Sequence, residues 1–402
     1  MESRNISRKE ALPGFLIVVI GAIALYFLME MTRPNPEGST AIYSFIDLAM
    51  GCAEGSLLYK FFWLLSDYTE GTFLASAIAT VCMIPVGLIA AHLENKHSRY
   101  AGTGVDGNGK RFVKALCSSI IAVILTIAIY GRSEWYGTYF FIPTFSAMLM
   151  TMAMAFSYGT EIKKLITIIV ISTLIPFPIC LALMVYVTMP IGLPGFVSVS
   201  LGLLIAVPLC HQIVKRMPWM MAPDPETPVS ENTQEAEDKA QSPTWFFIHR
   251  VFGDVGELVL FGSSWAAMAM YVGVIISWYL NPLHPVYAGL NLPMMILSQL
   301  LTAALSVFLY YPSWKRDGWA FTFAGIIFTS AIVNTYSNSW AVVIPTIIIG
   351  AIVFPVLVPK IFGIFKFNGS YPALGLIQLN ISLICILWSL LVLHILMPLI
   401  GA

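Results

Sequence analysis

Residues 45–59 read "FIDLAMGCAEGSLLY", and whether this stretch crosses a membrane decides the topology of everything after it. A helix turns about 100° per residue, so Asp47, Gly51, Glu54, Gly55 and Leu58 fall on one helical stripe. That stripe carries two carboxylates and two glycines, while the other faces are apolar.

The surroundings are greasier still. Hydrophobic residues make up 58% of the 402 and charged residues 10%, where soluble domains carry about 25% charge. A water-facing surface cannot be built from so few charges. The composition implies an all-α polytopic membrane protein, with about 11 transmembrane helices (ten to twelve) at roughly 20 apolar residues per span. Net charge is zero, and no basic stripe alternates with aromatics, so nucleic acid is excluded as a partner. Membrane lipid is the expected neighbour, and nothing in the chain calls for a cofactor.

The six cysteines all lie in apolar segments and none forms CxxC. That pattern fits packing residues rather than metal knuckles or a disulfide framework. The N-terminus has a basic leader and an apolar run without a small-x-small cleavage site, so it reads as an uncleaved first span.

Eleven clean apolar runs follow from the pattern: 13–30, 72–92, 113–131, 138–158, 165–188, 191–213, 264–281, 289–312, 319–336, 339–359 and 374–397. Segments 43–65 and 246–262 are less clean. Lysine and arginine placement sets orientation. Arg4, Arg8 and Lys9 put the N-terminus in the cytoplasm. If only the eleven runs cross, the basic loops at 93–112, 163–164, 215–216, 315–316 and 360–366 all share that side. A single crossing by 43–65 would flip the later ones outward. The charge rule therefore favours a re-entrant or buried 43–65, in a plasma membrane of the bacterial inner type.

The stretch 222–244, "APDPETPVSENTQEAEDKAQSPT", is acidic and proline-rich and cannot bury enough apolar surface to fold. It reads as a disordered cytoplasmic linker, 214–245, between an N-terminal half, 1–213, and a C-terminal half, 246–402. The halves look related. "RSEWYGTYFFIPTFSAML" (132–149) resembles "TYSNSWAVVIPTIIIGAI" (335–352), and "FIDLAMGCAEG" pairs with "FGDVGELVLFG". By the charge rule the copies would point the same way.

"GTGVDGNGKR" (102–111) imitates a phosphate-binding loop. A P-loop needs Ser or Thr after its lysine and a strand before it; here Arg111 follows Lys110 and the stretch lies between spans. A flexible basic loop near an anionic leaflet is the plainer reading. HExxH and GxSxG motifs are absent from the sequence, which disfavours metalloprotease and serine-hydrolase chemistry, and the scattered histidines offer no metal site.

Intramembrane ionisable groups remain, and they are costly enough to be functional by default. The candidates are Asp47 and Glu54, then Arg250, Asp254 and Glu257. Arg250 and Asp254 are one turn apart and can pair, and Glu257 continues their stripe. An interfacial amphipathic helix is the competing reading for that second group. Pro143-Thr144 and Pro345-Thr346 recur in the two resembling stretches. A proline frees a carbonyl, and with the Thr144 and Thr346 hydroxyls these groups suit a solute site. Asn334 and, less directly, Gln299, Gln378 and Asn380 are further polar groups in or beside spans.

These features lead to the expectation of a multi-pass permease performing secondary active transport of a small solute or ion, with Asp47 and Glu54 coupling protons or sodium. The alternative is a membrane-embedded enzyme acting on a lipid-linked substrate.

Overall fold

The computed structural model describes residues 7–139, 141–223, 242–285, 291–317, 320–336, 339–365 and 374–400. Most of the expected linker, residues 224–241, lies outside them. Among the described residues there are helices and no strands. Eight helices are long and apolar enough to cross a membrane: Arg8–Met31, Ala77–Asn95, Gly109–Tyr130, Ile162–Ile191, Gly195–Val214, Leu292–Leu309, Trp340–Gly363 and Ile377–Leu399. Three shorter apolar helices accompany them: Phe145–Tyr158, Ser264–Leu280 and Ala324–Tyr336. The chain is a polytopic helical membrane protein.

The exposed face agrees with that assignment. Ile17, Ile20 and Phe27 on the first helix are more than half exposed, as are Ile129 and Ile166 further on. Soluble proteins rarely leave such contiguous apolar surface uncovered, and acyl chains are its natural cover.

Helices are numbered in chain order: α1 (Leu12–Met31), α2 (Phe45–Ala53), α3 (Leu57–Glu70), α4 (Ala77–Asn95), α5 (Gly109–Tyr130), α6 (Ser133–Thr138), α7 (Phe145–Tyr158), α8 (Ile162–Leu174), α9 (Pro176–Leu183) and α10 (Gly195–Val214). After the linker come α11 (Pro243–Glu257), α12 (Ser264–Leu280), α13 (Leu292–Leu309), α14 (Tyr311–Asp317), α15 (Ala324–Tyr336), α16 (Trp340–Phe365) and α17 (Leu374–Leu391).

The opening stretch does not form one spanning helix. Its helical stripe breaks at Gly55, whose φ of +83° lies in the left-handed region open to glycine. The short α2 and the 14-residue α3 result, and at about 1.5 Å per residue neither reaches across a ~30 Å hydrocarbon layer. Instead α3 leads into a tight tip, residues 71–76, and the chain folds back. The Thr80 hydroxyl on the first turn of α4 donates to the Leu65 carbonyl of α3 at 2.6 Å. The second unclean segment does the same. α11 ends at Glu257, a tip covers 258–263, and Ser264 at the head of α12 bonds back to His249 in mid-α11 at 2.9 Å.

The two helices that leave these tips pack against each other antiparallel. Ser76, the N-cap of α4, bonds Ser277 near the end of α12 at 3.1 Å. Further along, a Cβ on Gly273 of α12 would lie 2.7 Å from Ala79 Cα, and one on Gly87 of α4 would lie 3.0 Å from Phe261. Close approach is why glycine stands at both.

The prolines fall in different settings. Pro85, Pro208, Pro345 and Pro355 are tolerated inside continuous helices, whereas Pro143 stands in the loop before α7 and Pro176 opens α9. Pro143 and Pro345, alike in sequence, are therefore not alike in structure.

Candidate functional site

The two tips share one backbone design. α3 ends Asp67-x-x-Glu70 and α11 ends Asp254-x-x-Glu257. Three positions after each glutamate stands a non-glycine residue with positive φ, Phe73 at +61° and Leu260 at +57°. Five positions after it stand Ala75 at +36° and Gly262 at +64°. Next comes a serine, Ser76 or Ser263, whose hydroxyl caps the following helix by accepting from Ala79 N or Ala266 N. Hydrogen bonds repeat too: Phe73 N to Glu70 O at 2.8 Å, and Leu260 N to Glu257 O at 3.0 Å. Left-handed conformation at a bulky residue is costly and concentrates at functional sites; here it occurs twice in one register.

The tips touch. A Cβ on Gly71 would lie 2.6 Å from the Leu258 carbonyl oxygen. Gln299 of α13 clamps the first tip, its Nε2 donating to the Thr72 carbonyl at 2.7 Å and to Ser330 Oγ at 3.0 Å, while Tyr271 donates to its Oε1 at 2.8 Å.

A cavity lies on each side of this junction. One, of about 390 Å³, is lined by Glu70, Phe73, Phe145, Phe196, Asn334 and Thr335 among others. The other, of about 330 Å³, is lined by Gly71, Asp106, Phe156, Phe196, Glu257 and Gln378 among others. They sit at opposite ends of the same two short helices. On α7, Phe145 faces the first cavity and Phe156 the second; on α15, Thr335 faces the first and Ile327 the second. Phe145 and Phe156 are roughly 16 Å apart along a helix axis. Phe196 lines both cavities and meets Phe73 with ring centroids 4.9 Å apart. The paired tips and the Phe73–Phe196 contact form the septum.

Each cavity has a carboxyl pair. Asp67 and Glu70, both buried, hydrogen-bond each other. The Thr144 hydroxyl donates to Asp67 Oδ1 at 2.9 Å and accepts from Trp63 Nε1 at 3.0 Å. Glu257 hydrogen-bonds Asp106, which comes from the loop between α4 and α5. A hydrogen bond between two carboxyls needs one proton, so each pair is arranged to hold one. Burial, and then the charge of Glu257, push the loop residue Asp106 well above the usual carboxylate range. Asp254, one turn before Glu257, is buried and faces Arg250 at 3.6 Å, and the Arg250 guanidinium lies 4.1 Å over the Trp314 ring.

The glycine-rich loop is not free. Thr103 Oγ1 donates to the Gly262 carbonyl at 2.7 Å, and Asp106 N donates to the Phe261 carbonyl at 3.2 Å. Gly102, Gly104 and Gly107 all have φ above +70°, which lets the loop wrap the second tip. Its glycines serve protein contact.

Of the residues singled out in the sequence, Arg250, Asp254 and Glu257 lie together on α11. Thr144 joins Asp67, and half-buried Asn334 lines the Glu70 cavity. Asp47, Glu54 and Thr346 lie elsewhere. Asp47 is exposed and forms a capping box with Ser44 at the head of α2. Glu54 is exposed at the end of that helix. Thr346 is buried, tied to the Val342 carbonyl at 2.7 Å and to Trp388 Nε1 at 2.9 Å. Sequence reasoning missed Asp67 and Glu70. The available signal was the repeated spacing of "DYTEGTFLAS" (67–76) and "DVGELVLFGS" (254–263), acid, acid three on, serine six further on.

No family model matches the chain, and no curated protein or solved structure matches it significantly. Among the described residues no cluster of three or more histidine, cysteine or acidic side chains is arranged to hold a metal.

Proposed function

We propose that the chain is a permease that moves a small solute by alternating access, with the Asp67–Glu70 and Asp106–Glu257 pairs carrying the coupling protons. The observation that carries this reading is the pair of cavities at opposite ends of α7 and α15, closed from one another by two re-entrant tips. A path interrupted once, with an ionisable pair on each side, is what a two-sided carrier requires. Coupling thus moves from Asp47 and Glu54, which lie on exposed positions, to Asp67, Glu70, Asp106 and Glu257.

On this reading the chain is two related halves, α3–α10 and α11–α17, each opening on a re-entrant hairpin, with α1 and α2 ahead of them. With α4 paired to α12, which run antiparallel, the halves are inverted; the parallel orientation expected from the charge rule belongs to the pairing of 132–149 with 335–352, which this replaces. Eleven crossings, with α4 and α12 spanning and only α3 and α11 entering part-way, keep the basic loops and the N-terminus on the cytoplasmic side of an inner-type membrane. The Glu257 cavity then opens toward the cytoplasm and the Glu70 cavity away from it.

The test is cysteine accessibility in sealed proteoliposomes on a cysteine-depleted background. Asn334→Cys reports the Glu70 cavity and Ser157→Cys the Glu257 cavity, each labelled with a membrane-impermeant maleimide under opposite pH gradients. Reciprocal labelling is expected, one site closing as the other opens. Labelling at both sites that ignores the gradient would sink alternating access.

A further inference from the structure

The Glu257 cavity carries an inference about substrate class, which rests on the permease reading for its consequence but not for its chemistry. Its walls are apolar and aromatic, with Phe156, Phe196, Phe321 and Phe323 around it. The polar groups that reach it are chiefly acceptors. Asp106 Oδ2 is buried with no donor beyond the proton its carboxyl can share with Glu257, and Oε1 of Gln378, a residue only 2% exposed, has no hydrogen-bond partner. Glu257 completes the set. Among the described lining residues there is no lysine, arginine or histidine.

A buried acceptor without a donor is expensive and asks for one. An anionic solute would meet the two carboxyls in the wall, with Arg250 acting on them from outside the lining. A sugar would leave most of its hydroxyls against phenyl faces. A hard inorganic cation takes six or more oxygen ligands, and most of this wall is hydrocarbon. A protonated amine satisfies every feature: its N–H groups donate to the carboxyl pair and Gln378, and its carbon skeleton packs on the rings, which also attract cations through their faces.

We propose that the Glu257 cavity binds a small organic ammonium ion, with Asp106, Glu257 and Gln378 as its acceptors. The Glu70 cavity repeats the composition, a carboxyl at the tip with Phe73, Phe141, Phe145 and Phe196 and no cationic side chain among the described lining residues. Entry of the ammonium makes the proton shared by Asp106 and Glu257 redundant. One positive charge enters as one leaves, so the permease exchanges amine for proton.

The experiment is calorimetry on the full chain in nanodiscs, with benzylammonium, benzyl alcohol and benzoate as probes, at pH 7 in buffers of different protonation enthalpy. Benzylammonium binds at least roughly tenfold more tightly than benzyl alcohol, benzoate does not bind, and about one proton is released per ammonium. Glu257→Gln weakens the ammonium by roughly tenfold or more, and Gln378→Leu by a smaller factor. Equal affinity for the alcohol, preference for benzoate, or an unchanged affinity in folded, monodisperse Glu257→Gln overturns the assignment. The ligand series on the native chain decides even where a variant fails to fold. Loss of reciprocal cysteine labelling with ammonium selectivity intact would overturn the permease and leave the cation site standing.

Discussion

The two hairpins have one backbone and two electrostatic solutions. At the first tip, Asp67 and Glu70 pair within a single helix, and a neutral hydroxyl, Thr144, supports Asp67. At the second, the upper acid Glu257 pairs instead with Asp106 from a distant loop, and the lower acid Asp254 faces the charged Arg250. The first pair lies within one helix, with Thr144 from the loop before α7 bonded to its lower acid. The second reaches across the molecule, so its protonation is tied to how the loop 102–108 grips the tip. Duplicated geometry therefore does not imply duplicated chemistry: the same turn can hold an acid pair within one helix and can serve as a docking point.

The largest difference should appear when each lower acid loses its support. Arg250→Met leaves Asp254 buried opposite an apolar side chain. Breaking a buried pair this way costs about 3–5 kcal/mol, and loss of the Trp314 stacking adds to it. Thr144→Val removes a hydrogen bond to Asp67 and should cost only about 1–3 kcal/mol. Thermal unfolding of both variants in detergent checks the order. A Thr144→Val protein as unstable as Arg250→Met would mean that the Asp67 carboxyl is ionised and that the shared-proton account of the first tip is wrong.

The next effect is a pH dependence that belongs to the second tip. Asp106 is held well above the usual carboxylate range by burial and by Glu257, so the folded state binds its proton more tightly than the unfolded chain does. That stability is fully present below the unfolded value of about 3.9 and is lost as pH rises through the folded pKa. Across that window the native protein should lose at most about 1.4 kcal/mol per pH unit from this group. Asp106→Asn, neutral throughout, should flatten the dependence. Melting temperatures from pH 5 to 9 for the two proteins provide the comparison, and parallel curves would remove Asp106 from the pH response.

How much of this was legible in the sequence depends on the scale of the signal. The membrane class was legible because it rests on composition summed over the whole chain. A charge pattern spread over many loops disfavoured a single crossing by 43–65, and the stretch is broken into α2 and α3. The tips were not legible, because their defining feature is backbone conformation at Phe73, Ala75 and Leu260, none of which is a residue type that advertises positive φ. Asp67 and Glu70 were hidden beside Asp47 and Glu54, which have the more regular helical spacing. That spacing reflects a capping box at a helix start. Thr144 and Thr346 share a Pro-Thr pair, yet one supports an acid and the other ties two helices. A short motif in a low-complexity apolar chain recurs by chance, whereas the acid–acid–serine register recurs with its hydrogen bonds and dihedrals.

The smallest prediction uses one of the two places where a glycine in one tip corresponds to a residue with a side chain in the other, the second being Gly71 against Leu258. Five positions past the glutamate the second tip has Gly262 at φ +64°, and the first has Ala75 at φ +36°. An L-residue in the left-handed region costs about 1–2 kcal/mol relative to its ordinary conformation. Glycine avoids that cost but gives back roughly 0.5–1 kcal/mol of chain entropy. Ala75→Gly should therefore stabilise the protein by up to about 1 kcal/mol. The reciprocal change, Gly262→Ala, should destabilise it, because the new Cβ would also lie 2.5 Å from Asp106 Oδ1. Opposite signs for the two substitutions in thermal unfolding are the expected result. If Ala75→Gly instead destabilises, the alanine methyl is packing the first tip more than its backbone strains it. If Ala75→Gly stabilises while slowing exchange, the strain at Ala75 is held for the motion that opens the septum.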